Sequence, residues 1–180
     1  MFADQTLTPK EAVRLCALGM VVERQMHYGE LAGGVRHFIG RVMGPSLDLM
    51  GISIELLRYE GLVEPVDGKG MEDNALIAVT PAGRVEFEKL ITARLRPSSE
   101  LAKLLTALKF RFLHLLAPNE RQNQIELLID ALETEIARLT DLCEHEATMR
   151  GGDAYLVLWL NEEIGQSRTR LDWLNKLAAT

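Results

Sequence analysis

From Glu120 to about residue 149 the chain continues without a glycine or proline, and its apolar residues Ile125, Leu128, Leu132, Ile136, Leu139 and Cys143 recur at intervals of 3, 4, 4, 3 and 4. That spacing draws one stripe along an α-helix and approaches a coiled-coil seam. A helix of about 30 residues spans about 45 Å, more than a small domain needs for itself, so part of the stripe is expected to meet a second copy. Gly151-Gly152 marks a corner. Beyond it, residues 153 to about 177 place Leu156, Trp159/Leu160, Ile164, Leu171, Leu174 and Leu177 on one face, and the two segments are expected to fold back as an antiparallel pair.

The first half is divided by clear punctuation. Thr8-Pro9-Lys10-Glu11 combines an N-cap, a proline suited to the first helical position and a capping-box glutamate. The helix it opens runs to about Arg24 with apolar residues on more than one face, which predicts burial. A short helix is expected over 30–38, weakened by Gly33-Gly34. A third covers 46–59, where Leu47, Met50, Ile54 and Leu57 form a 3, 4, 3 stripe that Gly61 stops in the left-handed region. Residues 62–66 and 76–79 read as strands joined by a long loop through Asp67-Gly68-Lys69-Gly70. Thr80-Pro81-Ala82-Gly83 then starts a fourth helix, to about Arg94. Three helices, a hairpin and a further helix describe a winged helix-turn-helix. Arg96-Pro97-Ser98-Ser99 interrupts the pattern, and 99–116 is a strongly apolar helical segment. The expected fold is mainly α with a small β-wing: a winged-helix domain over 1–95 and a helical dimerisation domain with long antiparallel helices over 96–180.

Charge narrows the function. With 20 Lys+Arg against 26 Asp+Glu the net charge is −6, so any affinity for phosphate must come from a local patch. No apolar run approaches the roughly 18 to 20 residues of a membrane span, and the N-terminus lacks the basic start and apolar core of a signal peptide; a cytoplasmic protein without a membrane partner is expected. Cys16 and Cys143 lie in separate helical patterns and read as small buried hydrophobes. The four histidines are scattered and no zincin, P-loop, nucleophile-elbow or dinucleotide motif occurs. Cys143-Glu144-His145 looks ligand-like, yet residues i and i+2 of a helix point about 200° apart and cannot chelate one ion. No enzyme, metal or cofactor is expected.

Met26-His27-Tyr28-Gly29-Glu30-Leu31, Leu57-Arg58-Tyr59-Glu60-Gly61-Leu62-Val63-Glu64 and Thr80-Pro81-Ala82-Gly83 resemble, in order and approximate spacing, the PadR family of bacterial transcription regulators. The resemblance extends from about Pro9 to Leu177. It departs from the family where glycine and tyrosine are exchanged in His27-Tyr28-Gly29, and where Gly51 occupies the position of a tyrosine near the start of the recognition helix. The resemblance implies a homodimer that binds double-stranded operator DNA, most simply as a repressor, and that senses a small aromatic or amphipathic effector.

In a helix-turn-helix the second helix of the motif enters the major groove, while nearby cations meet phosphates. The residues expected to contact DNA are Arg36, Arg41, Ser46, Ser53, Arg58 and Lys69, the last as a cation at the wing tip. Asp48 and Glu55 on the third helix oppose phosphate. Residues 24–41 hold three arginines against one glutamate, whereas residues 1–90 hold 9 basic and 13 acidic side chains. A second basic cluster, Arg94, Arg96, Lys103, Lys109 and Arg111, reads most simply as a solvated connector, with contact to flanking DNA as the alternative. The expected dimer interface comprises Ile125, Leu128, Leu132, Ile136, Leu139, Leu156, Trp159, Leu160, Ile164 and Leu171. Phe110, Phe112, Trp159 and Trp173 are candidates for an effector pocket. Two rival functions are a winged-helix adaptor that binds protein rather than DNA, which the acidic first half and Gly51 would suit, and a ligand-binding dimer whose pocket between the long helices is the main site.

Overall fold

The fold follows a simple division: short, capped elements build the first part of the chain and two uninterrupted helices build the last. The computed structural model describes residues 6–44, 54–66, 74–96, 99, 101–148 and 154–179. Contacts divide the chain into two units, Met1–Arg94 with Glu100–Ala117, and Leu95–Ser99 with Pro118–Thr180.

In the first unit, helix α1 (Pro9–Glu23) begins with the expected capping box: Thr8 Oγ1 accepts from the Glu11 amide and the Glu11 side chain accepts from the Thr8 amide. Its residues from Ala12 to Val21 are almost all buried, as an apolar pattern on several faces requires. Strand β1 (Met26–His27) follows, too short to leave a periodic signal. Helix α2 (Tyr28–Met43) is longer than the expected 30–38, because Leu31, Val35 and Ile39 continue one buried stripe while Gly33 and Gly40 lie on the exposed side. The described part of α3 is Ile54–Tyr59; Ser46, Asp48, Gly51 and Ser53 lie outside the described residues.

Strands β2 (Val63–Pro65) and β3 (Leu76–Val79) pair antiparallel with Val63 opposite Val79, and β1 adds to the other edge of β3 with Met26 opposite Ile77. The sheet order is β1-β3-β2, and Val63, Ile77 and Met26 are buried on it. Helix α4 (Pro81–Ile91) stops earlier than expected. Thr92 folds its hydroxyl back onto the Glu88 carbonyl at 2.7 Å.

Helix α5 (Ala102–Phe112) and the 3₁₀ turn Leu113–Leu115 were expected with the C-terminal half. They fold instead with the first unit, because Leu104, Leu108 and Phe112 are fully buried where α5 packs on α1, α2 and α4. The approach to α1 is close. A Cβ on Gly19 would stand 2.5 Å from the Phe112 ring, which in turn meets Phe87 edge-on at 6.1 Å. Lys109, placed by sequence in a solvated connector, is 3% exposed and donates from Nζ to the Ile91 carbonyl at the end of α4, where a cation suits the helix C-terminus.

The second unit is a helical hairpin of α6 (Pro118–Thr148) and α7 (Ala154–Ala178). Leu139 and Cys143 of α6 share a buried cluster with Leu160 and Ile164 of α7, flanked by Ile136, Leu156 and Val157.

Candidate nucleic-acid interface

The geometry of the interface is decided by how α3 ends. The Gly61 amide donates to the Arg58 carbonyl and the Leu62 amide to the Leu57 carbonyl at 2.8 Å, with Gly61 at φ +71°. This is the Schellman pattern, completed by burial of Leu57 and Leu62, and Gly61 is the stop the sequence predicts. The Thr80 hydroxyl accepts from the Gly83 amide as a helix N-cap and donates to the Gly61 carbonyl at 2.6 Å. The Thr80 amide donates to the Leu62 carbonyl. Thus the Glu60-Gly61-Leu62 and Thr80-Pro81-Ala82-Gly83 motifs, separate in sequence, are two halves of one joint.

The first motif is also a joint. His27 Nδ1 lies 2.9 Å from the Asn74 carbonyl, and the Tyr28 amide donates to Ala75, so the start of α2 is tied to the entry of β3. Leu31 is fully buried and Glu30 pairs with Arg24.

On α3, Leu57 faces the core while Glu55, Leu56, Arg58 and Tyr59 are exposed, Tyr59 at 90%. Tyr59 was absent from the expected contacts. It stands two residues from the buried Leu57, about 200° round a helix, and that offset alone marks it as outward-facing. Arg36 and Arg41 on α2 are exposed as well. Lys69 lies outside the described residues, like Ser46 and Ser53.

Charge in this unit is sorted by pairing. Arg14 holds Glu60 at 2.9 Å and Glu86 at 3.5 Å, Lys89 holds Glu86 at 3.1 Å, and His114 lies 3.4 Å from Glu23. Among the described residues, no ion pair engages Arg36, Arg41 or Arg58. The acidic majority of the sequence is thereby partly neutralised within the unit, while three arginines on the two helices of the helix-turn-helix keep their charge for solvent.

A family model described as "Putative AphA-like transcriptional regulator" matches residues 2–178. The chain belongs to the AphA-like family of transcription regulators. That family is one of transcription regulators rather than enzymes. Two solved structures are similar to this AphA-like regulator: Bacillus subtilis PadR in complex with p-coumaric acid, 15% identical with a TM-score of 0.38 over 97% of each chain, and the same PadR in complex with operator DNA, 18% identical with a TM-score of 0.37 over 92% of this chain and 96% of that one. No curated protein matches the sequence.

The remaining expected sites are distributed differently from the sequence reading. Ile136, Leu139, Leu156, Leu160 and Ile164, expected at the dimer interface, cover one another within a single chain, because the hairpin of α6 and α7 uses the seam first. Ile125 and Leu128 are also buried, and Leu132 and Leu171 are half-buried. Trp159 is the member of that set left exposed, at 53%. The expected effector aromatics fall in separate units. Phe112 is core of the first, beside the half-buried Phe110, whereas Trp159 and Trp173 lie on α7. No helix among the described residues is long and apolar enough to cross a membrane.

Proposed function

We propose that the protein is a homodimeric repressor that reads operator DNA with α3, with Arg36, Arg41, Arg58 and the wing-tip Lys69 on phosphates and Tyr59 added to the contact set. The observation that carries this reading is the charge sorting: exposed arginines on α2 and α3 that no ion pair among the described residues engages, with Glu60 and Glu86 held by Arg14. An adaptor would be expected to leave an acidic α3 face instead. The described turn of α3 exposes one acid, Glu55, beside one base, Arg58.

Dimerisation is supported by α7. Tyr155, Leu158, Trp159 and Trp173 are exposed at 82, 65, 53 and 53%, and Tyr155 and Trp173, 18 residues apart, lie on one line of the helix. Aromatic residues on a continuous face are enriched at protein interfaces. A small amphipathic effector that changes the dimer would act where these rings lie.

The test is a titration on DNA from its own upstream region across salt concentrations. Log affinity is expected to fall linearly with log salt, and Arg41→Ala or Arg58→Ala each to reduce the slope by about one unit. A flat salt response would overturn the reading. Sedimentation of the wild type against Trp159→Ala tests the dimer, which the substitution should weaken.

A further inference from the structure

We infer that Arg14 is a positioning residue for DNA binding: from α1 its guanidinium clasps the exit of α3 through Glu60 and sets the angle of the helix that bears Arg58 and Tyr59, a role that rests on α3 being the DNA-facing helix. Three observations lead there. First, the described turn of α3 meets the core through Leu57, while Glu55, Leu56, Arg58 and Tyr59 are exposed around it. The Schellman turn fixes where the helix stops, and an ion pair beside that turn adds a restraint on the direction in which the exposed residues face.

Second, Arg14 supplies a lateral restraint from two directions. Nη2 lies 2.9 Å from the Glu60 carboxylate and Nη1 3.5 Å from that of Glu86, so one planar fork links α3 to α1 and α4 together. A guanidinium is suited to this because its two edges have a fixed geometry that an ammonium lacks. Its base is firm, since Val13 and Leu15 on either side are buried.

Third, Arg14 is unsuited to meet phosphate itself. Its side chain is 23% exposed and both arms are engaged with carboxylates. Arg58, two residues before Glu60, is exposed and takes part in none of the ion pairs among the described residues. One arginine therefore orients the helix and the other is presented to the ligand.

Partly exposed pairs contribute modestly, so the expected effects are small and the design must separate position from charge. In the full-length chain, Arg14→Ala and Glu60→Gln are each expected to weaken operator affinity about two- to fivefold at fixed salt without changing the salt slope. The double variant should be no weaker than either single one, and Arg14→Lys should recover part of the loss. Hydrogen exchange of the Gly61 and Leu62 amides, which close the α3 exit, should accelerate by a similar factor in both single variants.

A slope reduced by about one in Arg14→Ala would mean direct phosphate contact and would overturn the assignment. So would tighter binding by Glu60→Gln, which would mean that the carboxylate acts by repelling DNA. Unchanged amide exchange would overturn the clasp whether or not the wild type binds DNA. A wild type that fails to bind with the exchange effect intact would sink the DNA reading of α3 and leave the clasp standing.

Discussion

Gly83 at the first turn of α4 lies so close to the Leu62 carbonyl that a Cβ on the glycine would stand 2.0 Å from that oxygen. The nearest obstacle is the Leu62 backbone, with a Val79 methyl group at 2.7 Å beside it, and Leu62 is itself held by the Thr80 amide and the α3 exit. The glycine of the Thr-Pro-x-Gly motif is thus required by a close approach and not by an unusual φ. Gly83→Ala is expected to destabilise the protein by about 2 kcal/mol or more, as overpacking against an unyielding neighbour does. Urea denaturation checks it, and an unchanged midpoint would contradict the close approach.

Gly33 and Gly40 present the opposite case. Both sit inside α2 at helical φ, on its exposed side, and a Cβ at either would meet nothing within 4 Å. Glycine there costs about 0.5–1 kcal/mol relative to alanine. Gly33→Ala and Gly40→Ala should each raise the melting temperature, together by about 1–2 kcal/mol of stability. A loss of stability from either substitution would show that the α2 face is not open.

The capping box gives a pH dependence with a definite sign. The Thr8 backbone amide, donating to the Glu11 carboxylate, holds its pKa below the ordinary glutamate value. A carboxyl depressed in the folded state stabilises above its unfolded pKa and loses that contribution as pH falls through the folded one. The stability gap between wild type and Glu11→Gln, about 0.5–1 kcal/mol at pH 7, should therefore shrink from about pH 4.3 downward. Thermal melts of both proteins between pH 7 and pH 3 measure it; a gap that widens in acid would refute the assignment.

Burial pushes the Cys16 thiol up to about 12, against the smaller opposing effect of Arg111. Since the thiolate is the reactive species, Cys16 should resist a water-soluble disulfide reagent at pH 8 in the folded protein and react on unfolding in urea. Cys143→Ser removes the other thiol from the count. Rapid labelling of that variant in native buffer would place Cys16 in a more open setting than α1 provides.

Of these features, the ones legible in the sequence are those that short-range chemistry dictates. Thr8-Pro9 and Thr80-Pro81 start helices because a hydroxyl and a ring-fixed φ act on their immediate neighbours, and Gly61 ends α3 for an equally local reason. The β-wing and the α6–α7 hairpin follow from periodicity. The site is less legible. Charge marks Arg36, Arg41 and Arg58, which are exposed, but Tyr59 carries no charge and is marked only by its offset from Leu57, and β1 is too short to announce itself.

By itself, then, the sequence determined where the chain turns, which stripes are apolar and that a winged helix precedes a long helical pair, because each of these rests on interactions a few residues apart. Tertiary structure alone decided the rest. It drew α5 into the first unit through Phe112 against Gly19, covered the α6 seam with α7, and neutralised Glu60 with an arginine 46 residues earlier. Those outcomes depend on which surfaces meet, and competing apolar stripes and charges of the same kind are indistinguishable until the chain has chosen its neighbours.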